Sequence, residues 1–269
     1  LIEQITQDTR VFVLANGCRD GTAAIARACS AGHPNIEVRE LELGDKANAW
    51  NVFTHEIAPQ ADIVFFHDGD CFLEPGALEA LERDLIASPK ANVAAAVPSI
   101  GRDKTALTER LEREHLLVGN LYAVRGSMLQ AFREAGVKLP IGQFGEDGLV
   151  AALIKRNLDF LQPELNERVV VSRDAKFGFD SLSMTNPEHW KIYHRRMRRY
   201  ANRFIQISLL YPRLRARGTS AMPASVDQLI AEEFPKFKLR WNGIAGIYEL
   251  IAWFRLRRRH GELTTHTDT

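Results

Sequence analysis

Along the first hundred residues, short apolar runs alternate with amphipathic stretches of about ten. Val11-Phe12-Val13-Leu14 reads as a strand, Ala23 to Ala31 as a helix opened by Thr22, and Ile36 to Leu41 as a half-covered strand of alternating apolar and charged residues. Lys46 to Ile57 follows as a helix, Ile63 to Phe66 as a β-branched and aromatic strand, a helix near Gly76 to Ala87, and the small apolar strand Asn92 to Val97. Strands alternating with helices in this way predict an α/β fold with a mostly parallel sheet flanked by helices. The second half is less regular. Thr105 to Leu117 is a charged helix, Asn120 to Arg125 a strand, and a further helix runs to Ala135. Pro140 to Gly145 is a loop, and a helix to Arg156 begins at Glu146-Asp147. After a strand at Val169 to Val171, residues 174–186 read as irregular. Pro187 starts a long helix, and a last helix runs from about Trp241 to Arg258.

The Ile63 strand stops at Asp68-Gly69-Asp70, which brings two carboxylates to the carboxyl end of a sheet, where open α/β sheets bind ligands. Carboxylates this close repel unless a cation sits beside them. A hard divalent ion suits such oxygen donors, and Mg²⁺ binds through one or two carboxylates plus phosphate oxygens. Asp and Gly are also ordinary turn residues, so the pair alone carries little. Glu146 and Asp147 sit where a helix dipole favours negative charge, and capping explains their position as well as chemistry does.

The chain has a net charge of +1, which hides a division. Over residues 1–188, 28 acidic and 19 basic residues leave −9; over 189–260, 16 basic and 4 acidic residues give +12. A basic carboxyl-terminal quarter predicts an anionic partner, either a membrane surface or a phosphate-bearing ligand. No zinc-finger, RNA-binding or winged-helix pattern accompanies it, so nucleic acid is not expected. Cys18, Cys29 and Cys71 are odd in number and lack zinc spacing, which argues against a disulfide framework. No apolar run reaches the roughly 18 residues of a membrane span.

Asn16-Gly17-Cys18-Arg19-Asp20-Gly21-Thr22 and Gly44-Asp45-Lys46-Ala47-Asn48-Ala49-Trp50-Asn51, taken in order with the two acidic pairs, resemble the D-[DN]-G-S-x-D-G-T loop and G-K-x-x-A-L-N segment of one family, the inverting family 2 glycosyltransferases of the GT-A fold. Asp68-Gly69-Asp70 is similar to their D-x-D, Gly145-Glu146-Asp147 to their E-D motif, and Arg196-Met197-Arg198-Arg199-Tyr200 to their [QR]-x-x-R-W element with Tyr for Trp. The resemblance departs in three places: the family's first strand has no counterpart, Ala15 stands where an acid is usual, and Cys18 replaces Ser.

The resemblance implies a GT-A domain over residues 1–186, begun within the helix after the missing strand, and a basic helical extension over 187–269. It implies transfer of a sugar from a nucleoside-diphosphate sugar to an acceptor hydroxyl of a glycan or lipid-linked molecule, with Mn²⁺ or Mg²⁺. Asp70 would be the direct metal ligand and Asp68 would touch the ribose or the ion. Asp147 would be the base, with Glu146 orienting it or touching the acceptor. Asn16 would contact the donor, Asp20 would accept from its base or from neighbouring backbone amides, Lys46 would pair with a donor phosphate or with Asp20, and Arg196 and Arg199 would face either the leaving diphosphate or the surface. For the last helix, with Trp241, Ile244, Ile247, Tyr248, Ile251 and Phe254 on one side and Arg255, Arg257, Arg258 and Arg259 after it, docking on an anionic membrane and docking on the core both remain open. The implied setting is the cell-envelope side of the cytoplasm, soluble or peripheral on the inner membrane face. Two other readings compete. A nucleotidyltransferase would need a glycine-rich basic loop after the first strand, and a catalytically silent nucleotide-sugar binder or membrane-tethered scaffold would be favoured by loss of Asp70 or Asp147.

Overall fold

The computed structural model describes residues 1–180, 187–239 and 244–265. Strand β1 (Val11–Asn16) pairs in parallel with β2 (Ile36–Leu41), and α1 (Thr22–Ser30) connects them. Helix α2 (Lys46–Val52) runs into a π-helical turn over Phe53–Ile57. The second sheet has five strands, β3 (Ile63–His67), β4 (Cys71–Leu73), β5 (Val93–Pro98), β6 (Leu121–Arg125) and β7 (Val169–Phe179), in the order β3-β6-β5-β7-β4. Around it lie α3 (Ala77–Ala87), α4 (Lys104–Glu114), α5 (Gly126–Glu134) and α6 (Glu146–Lys155), then α7 (Pro187–Arg217), α8 (Val226–Glu233) and α9 (Ile244–Thr265).

The α/β class and the helical carboxyl-terminal region agree with the sequence pattern, but the expectation of mostly parallel strands needs correction. Among the strands of the described residues only β1–β2 and β5–β7 pair in parallel, and β6 is antiparallel to both β3 and β5. The segment carrying α4 delivers the chain to the carboxyl end of β3, where the Asp68 amide donates to the Asn120 carbonyl at 2.9 Å. From there β6 can only run backwards along both neighbours. Residues 174–179, expected to be irregular, continue β7, with Ala175 and Phe177 buried and Asp174 and Lys176 exposed. Gly178 is required there because the Phe72 ring occupies the space a Cβ would take. Residues 180–186 divide: Asp180 ends the strand region, and 181–186 lie outside the described residues, as does Trp241.

The core is continuous from sheet to carboxyl-terminal helices. Leu149, Val150, Leu153 and Ile154 of α6 share one buried cluster with Ala201, Ile205, Leu209, Leu210 and Leu214 of α7. Helix α9 adds Ala252 and Leu256 to this cluster and leaves Ile247, Ile251 and Phe254 exposed. Among the described residues, no helix is long and apolar enough to cross a membrane.

Candidate active site

Two loops cross beneath the carboxyl ends of β1 and β2. Gly17, at φ +65°, lies so close to Gly44 that a Cβ on it would strike the Gly44 backbone. Asn16 Oδ1 accepts from the Asp45 amide at 3.2 Å. Asp45 caps α2, with Oδ1 accepting from the Asn48 amide at 2.7 Å, while its Oδ2 accepts from the Gly142 amide at 3.0 Å. One side chain thereby ties the first loop, α2 and the 140–145 loop together. Asp20 stays at the surface, where bonds from the Thr22 hydroxyl and amide hold its carboxyl below the usual range.

Capping by Asp45 sets the first residue of α2, Lys46, over the end of β3. Its Nζ lies 2.7 Å from Asp68 Oδ1, 2.9 Å from Asp68 Oδ2 and 2.9 Å from Glu146 Oε1. The acid at the end of β3 and the acid at the start of α6, 78 positions apart in the chain, are bridged by one ammonium group. Burial pushes Asp68 and Glu146 up and Lys46 opposes it; Asp70 and Asp147 add to the rise at Asp68, and Asp147 adds to it at Glu146. Burial alone would lower Lys46, but Glu146 and Asp68 outweigh it and hold the ammonium protonated well beyond its ordinary range.

Asp147 turns to the same place. Its Oδ2 accepts from the Gly119 amide at 3.0 Å, and its Oδ1 lies 3.6 Å from Arg203 Nη2. A Cβ on Gly119 would sit 3.2 Å from Lys46 Nζ, 3.3 Å from Asp147 Cβ and 3.5 Å from Glu146 Oε1, so three charged groups converge on one glycine. Asn120 comes next in the chain; its Nδ2 donates to Cys71 Sγ at 3.0 Å, beside Asp70. Burial pushes the Cys71 thiol up to about 11, so it serves as a packed neutral group. Asp70 itself is exposed, at the mouth of the cluster.

The structure therefore brings Lys46, Asp68, Glu146 and Asp147 together, with Asp70 at the edge and Asn16 and Asp20 on the neighbouring loop. It does not bring Arg196 or Arg199 to the carboxylates. Both are exposed, and Arg199 lies with its guanidinium 6.0 Å from the Phe144 ring centroid. The arginine that reaches Asp147 is Arg203, one turn further along α7. It packs against Gly145 and Gly148, and a Cβ on Gly148 would come within 2.7 Å of its Nη2. Next to it, Gln206 accepts from the Phe144 amide at 2.8 Å and donates to the Gly142 carbonyl at 3.1 Å, fixing the 140–145 loop to α7. Neither Arg203 nor Gln206 stands out in the sequence. The only signal is their spacing of four and seven from Arg199, which places them along one helix face.

Four carboxylates here face two cations, which leaves room for a divalent ion. Among the described residues no three His, Cys, Asp or Glu side chains are grouped as a complete metal cage. Asp68 and Asp70 would thus supply at most two protein ligands, a donor set that suits an ion also held by phosphate oxygens. With both Asp68 oxygens on Lys46, Asp70 is the carboxylate better placed to bind an ion directly.

This fold and this grouping of acids define an α/β protein with a cluster of carboxylates at the ends of its strands. Residues 1–156 match the model of the family described as glycosyltransferase like family 2, over half of the sequence, and the chain belongs to that family. Among solved structures it is similar to the mannosyltransferase PcManGT from Pyrobaculum calidifontis in complex with GDP-Man and Mn²⁺, with a TM-score of 0.53 and 16% identity, covering 95% of this chain and 64% of that one. The chain thus spans less than two thirds of that enzyme, and the likeness shows the fold. S. aureus TarS 1-349 in complex with UDP aligns at a TM-score of 0.48 and 14% identity, over 98% of this chain and 84% of that one. Glucosyl-3-phosphoglycerate synthase from Mycobacterium tuberculosis aligns at 0.45 and 18%, over 70% and 67%. No curated protein matches the sequence.

Proposed function

We propose that the chain transfers a sugar from a nucleoside-diphosphate sugar to an acceptor hydroxyl with inversion at the anomeric carbon, using Asp147 as the base. The observation that carries this reading is the Lys46 bridge between Asp68 and Glu146, with Asp147 beside it on Gly119. On this reading nucleotide-side and acceptor-side groups would work side by side. Residues 1–186 would hold the donor and 187–269 would close the acceptor side.

Asn16 and Asp20 would face the nucleoside, and Lys46 the diphosphate. Asp70, with Asp68 behind it, would hold Mn²⁺ or Mg²⁺, a choice supported by the Mn²⁺ named for the mannosyltransferase. When bound, such an ion stabilises the charge that builds on the leaving diphosphate. Asp147 takes the proton of the acceptor hydroxyl as its oxygen bonds to the anomeric carbon, and the bond to the diphosphate breaks on the opposite side. Glu146, clamped by Lys46, fixes the start of α6 and so the aim of Asp147. A glycan or lipid-linked acceptor at an anionic membrane surface, as in cell-envelope polysaccharide synthesis on the inner membrane face, is supported by the +12 of residues 189–260.

A donor screen with Mn²⁺ or Mg²⁺, reading released nucleoside diphosphate, tests the proposal. Asp147→Asn is expected to lower turnover roughly 10²–10⁴-fold with donor binding kept. An Asp147→Asn protein as active as the wild type would remove Asp147 from the base role.

A further inference from the structure

The half of α7 that faces the protein changes character at Ala201. From there on it buries Ala201, Ile205, Gln206, Leu209 and Leu210. At about 100° per residue, Arg195, Arg198 and Arg199 project from the same half of the helix, one to two turns earlier, with Arg196 beside that half; here the helix overhangs the core and all four are exposed.

Several surface arginines elsewhere in the chain, Arg27, Arg83, Arg110, Arg173 and Arg259, each hold a carboxylate. Among the described residues the ion pairs made by α7 are those of Arg203, Arg213 and Arg217, and none involves the four on the overhang. They also repel one another, since Arg195 lies three and four positions from Arg198 and Arg199, and Arg196 three from Arg199. Like charges at these spacings destabilise a helix. Arg199 packs over Phe144 in the loop before Glu146, and the next arginine along this face, Arg203, reaches Asp147. The uncompensated charge thus runs from open surface to the candidate base.

We propose that residues 195–199 form a phosphate-binding ridge, and that it presents a phosphate-bearing acceptor to Asp147. This assignment rests on the sugar-transfer reading and adds the chemical class of the acceptor. Guanidinium groups bind phosphate oxygens in pairs, and several side by side suit a phosphomonoester or phosphodiester better than a neutral sugar. The phosphate could belong to a lipid headgroup in a bilayer or to a free acceptor. Exposed Tyr193, Tyr200 and Phe204 line the adjoining face, and aromatic side chains sit well at headgroup level, so the bilayer is the first source to test.

The experiment uses the whole chain and a variant with Arg195, Arg196, Arg198 and Arg199 changed to Gln. A control changes Arg255 and Arg257 to Gln, exposed basic residues on α9 away from the ridge. Each protein is sedimented with vesicles of phosphatidylcholine, or of equal parts phosphatidylcholine and phosphatidylglycerol. Each is also titrated with glycerol 3-phosphate, and with nucleoside diphosphate plus Mn²⁺. Binding to the anionic vesicles that falls roughly 100-fold in the ridge variant, and little in the control, identifies a lipid headgroup as the source. Binding of glycerol 3-phosphate that is lost only in the ridge variant, without vesicle binding, identifies a free phosphate. The proposal is overturned if the ridge variant matches the wild type in both arms, if the wild type binds neither ligand, or if the variant loses nucleoside diphosphate instead. Absence of nucleoside diphosphate binding in the wild type would count against sugar transfer itself and leaves the vesicle result readable.

Discussion

At the scale of single residues, Arg203 and Lys46 have different duties at the same acids. Arg203 holds Asp147 by charge and by its fit against Gly145 and Gly148. Arg203→Lys keeps the charge but loses the planar fork, so it should retain more activity than Arg203→Gln. If Arg203 positions the base, Arg203→Gln lowers kcat and leaves the KM for the donor in place, whereas a merely packed arginine would lower the melting temperature and leave kcat of the folded protein unchanged. Lys46 offsets two carboxylates that burial already pushes up. Groups with raised folded-state values disfavour folding once ionised, so stability from their protonated forms is present below the unfolded carboxylate range and lost as pH rises through the folded values. In Lys46→Met the opposing cation is gone and the rise grows. Its melting temperature should therefore drop more at pH 8 than at pH 5, with a neutral-pH loss of about 1–2 kcal/mol because Lys46 is itself partly exposed. An equal drop at both values would mean that the bridge contributes no net stability.

At the scale of elements, the clearest segments in the sequence are those whose own pattern decides them. Strands β1, β2, β3 and β5 and helices α1, α2 and α3 arise from their apolar period, and α2 has in addition the cap Asp45, which fixes where it starts. Asp45→Ala should cost about 1–2 kcal/mol in a denaturant titration, and more than an ordinary cap because the Gly142 amide loses its partner as well. What the pattern does not show are elements fixed by partners. Strand β4 has three residues and exists through pairing with β7. The end of β7 looks like loop until Gly178 is seen beneath Phe72. Helix α8 does carry a local signal: Ser225 caps it by accepting from the Gln228 amide at 3.2 Å, and Gln228 Oε1 accepts from the Ala224 amide at 2.8 Å. That is close to the reciprocal Ser-x-x-Gln signature of a helix start.

At the scale of the whole molecule, motif order along the chain locates the acids, because each sits at the end of a strand or the start of a helix. The cation that meets Asp147 is not legible in this way. Only the docking of α7 on α6 determines that Arg203, rather than Arg196 or Arg199, reaches it. The same docking makes residues 1–186 dependent on the carboxyl-terminal helices, since Leu149, Leu153 and Ile154 are covered by α7. A chain ending at 186 should be insoluble or lack cooperative unfolding by circular dichroism; a soluble, cooperatively melting fragment would show that the first part folds alone. The two halves also meet at the acids with opposite charge, −9 against +12, so moderate salt should weaken ligand capture on the basic side more than it weakens the fold.

The lysine at the head of α2 has one more effect. An ion held by Asp70 that also drew on Asp68 would meet oxygens already claimed by the protein's own ammonium, so its rival there would be a side chain and not merely solvent. A donor arriving with it brings phosphate oxygens that can receive the displaced lysine. Ion and donor should therefore enter as partners, each binding poorly until the other is there.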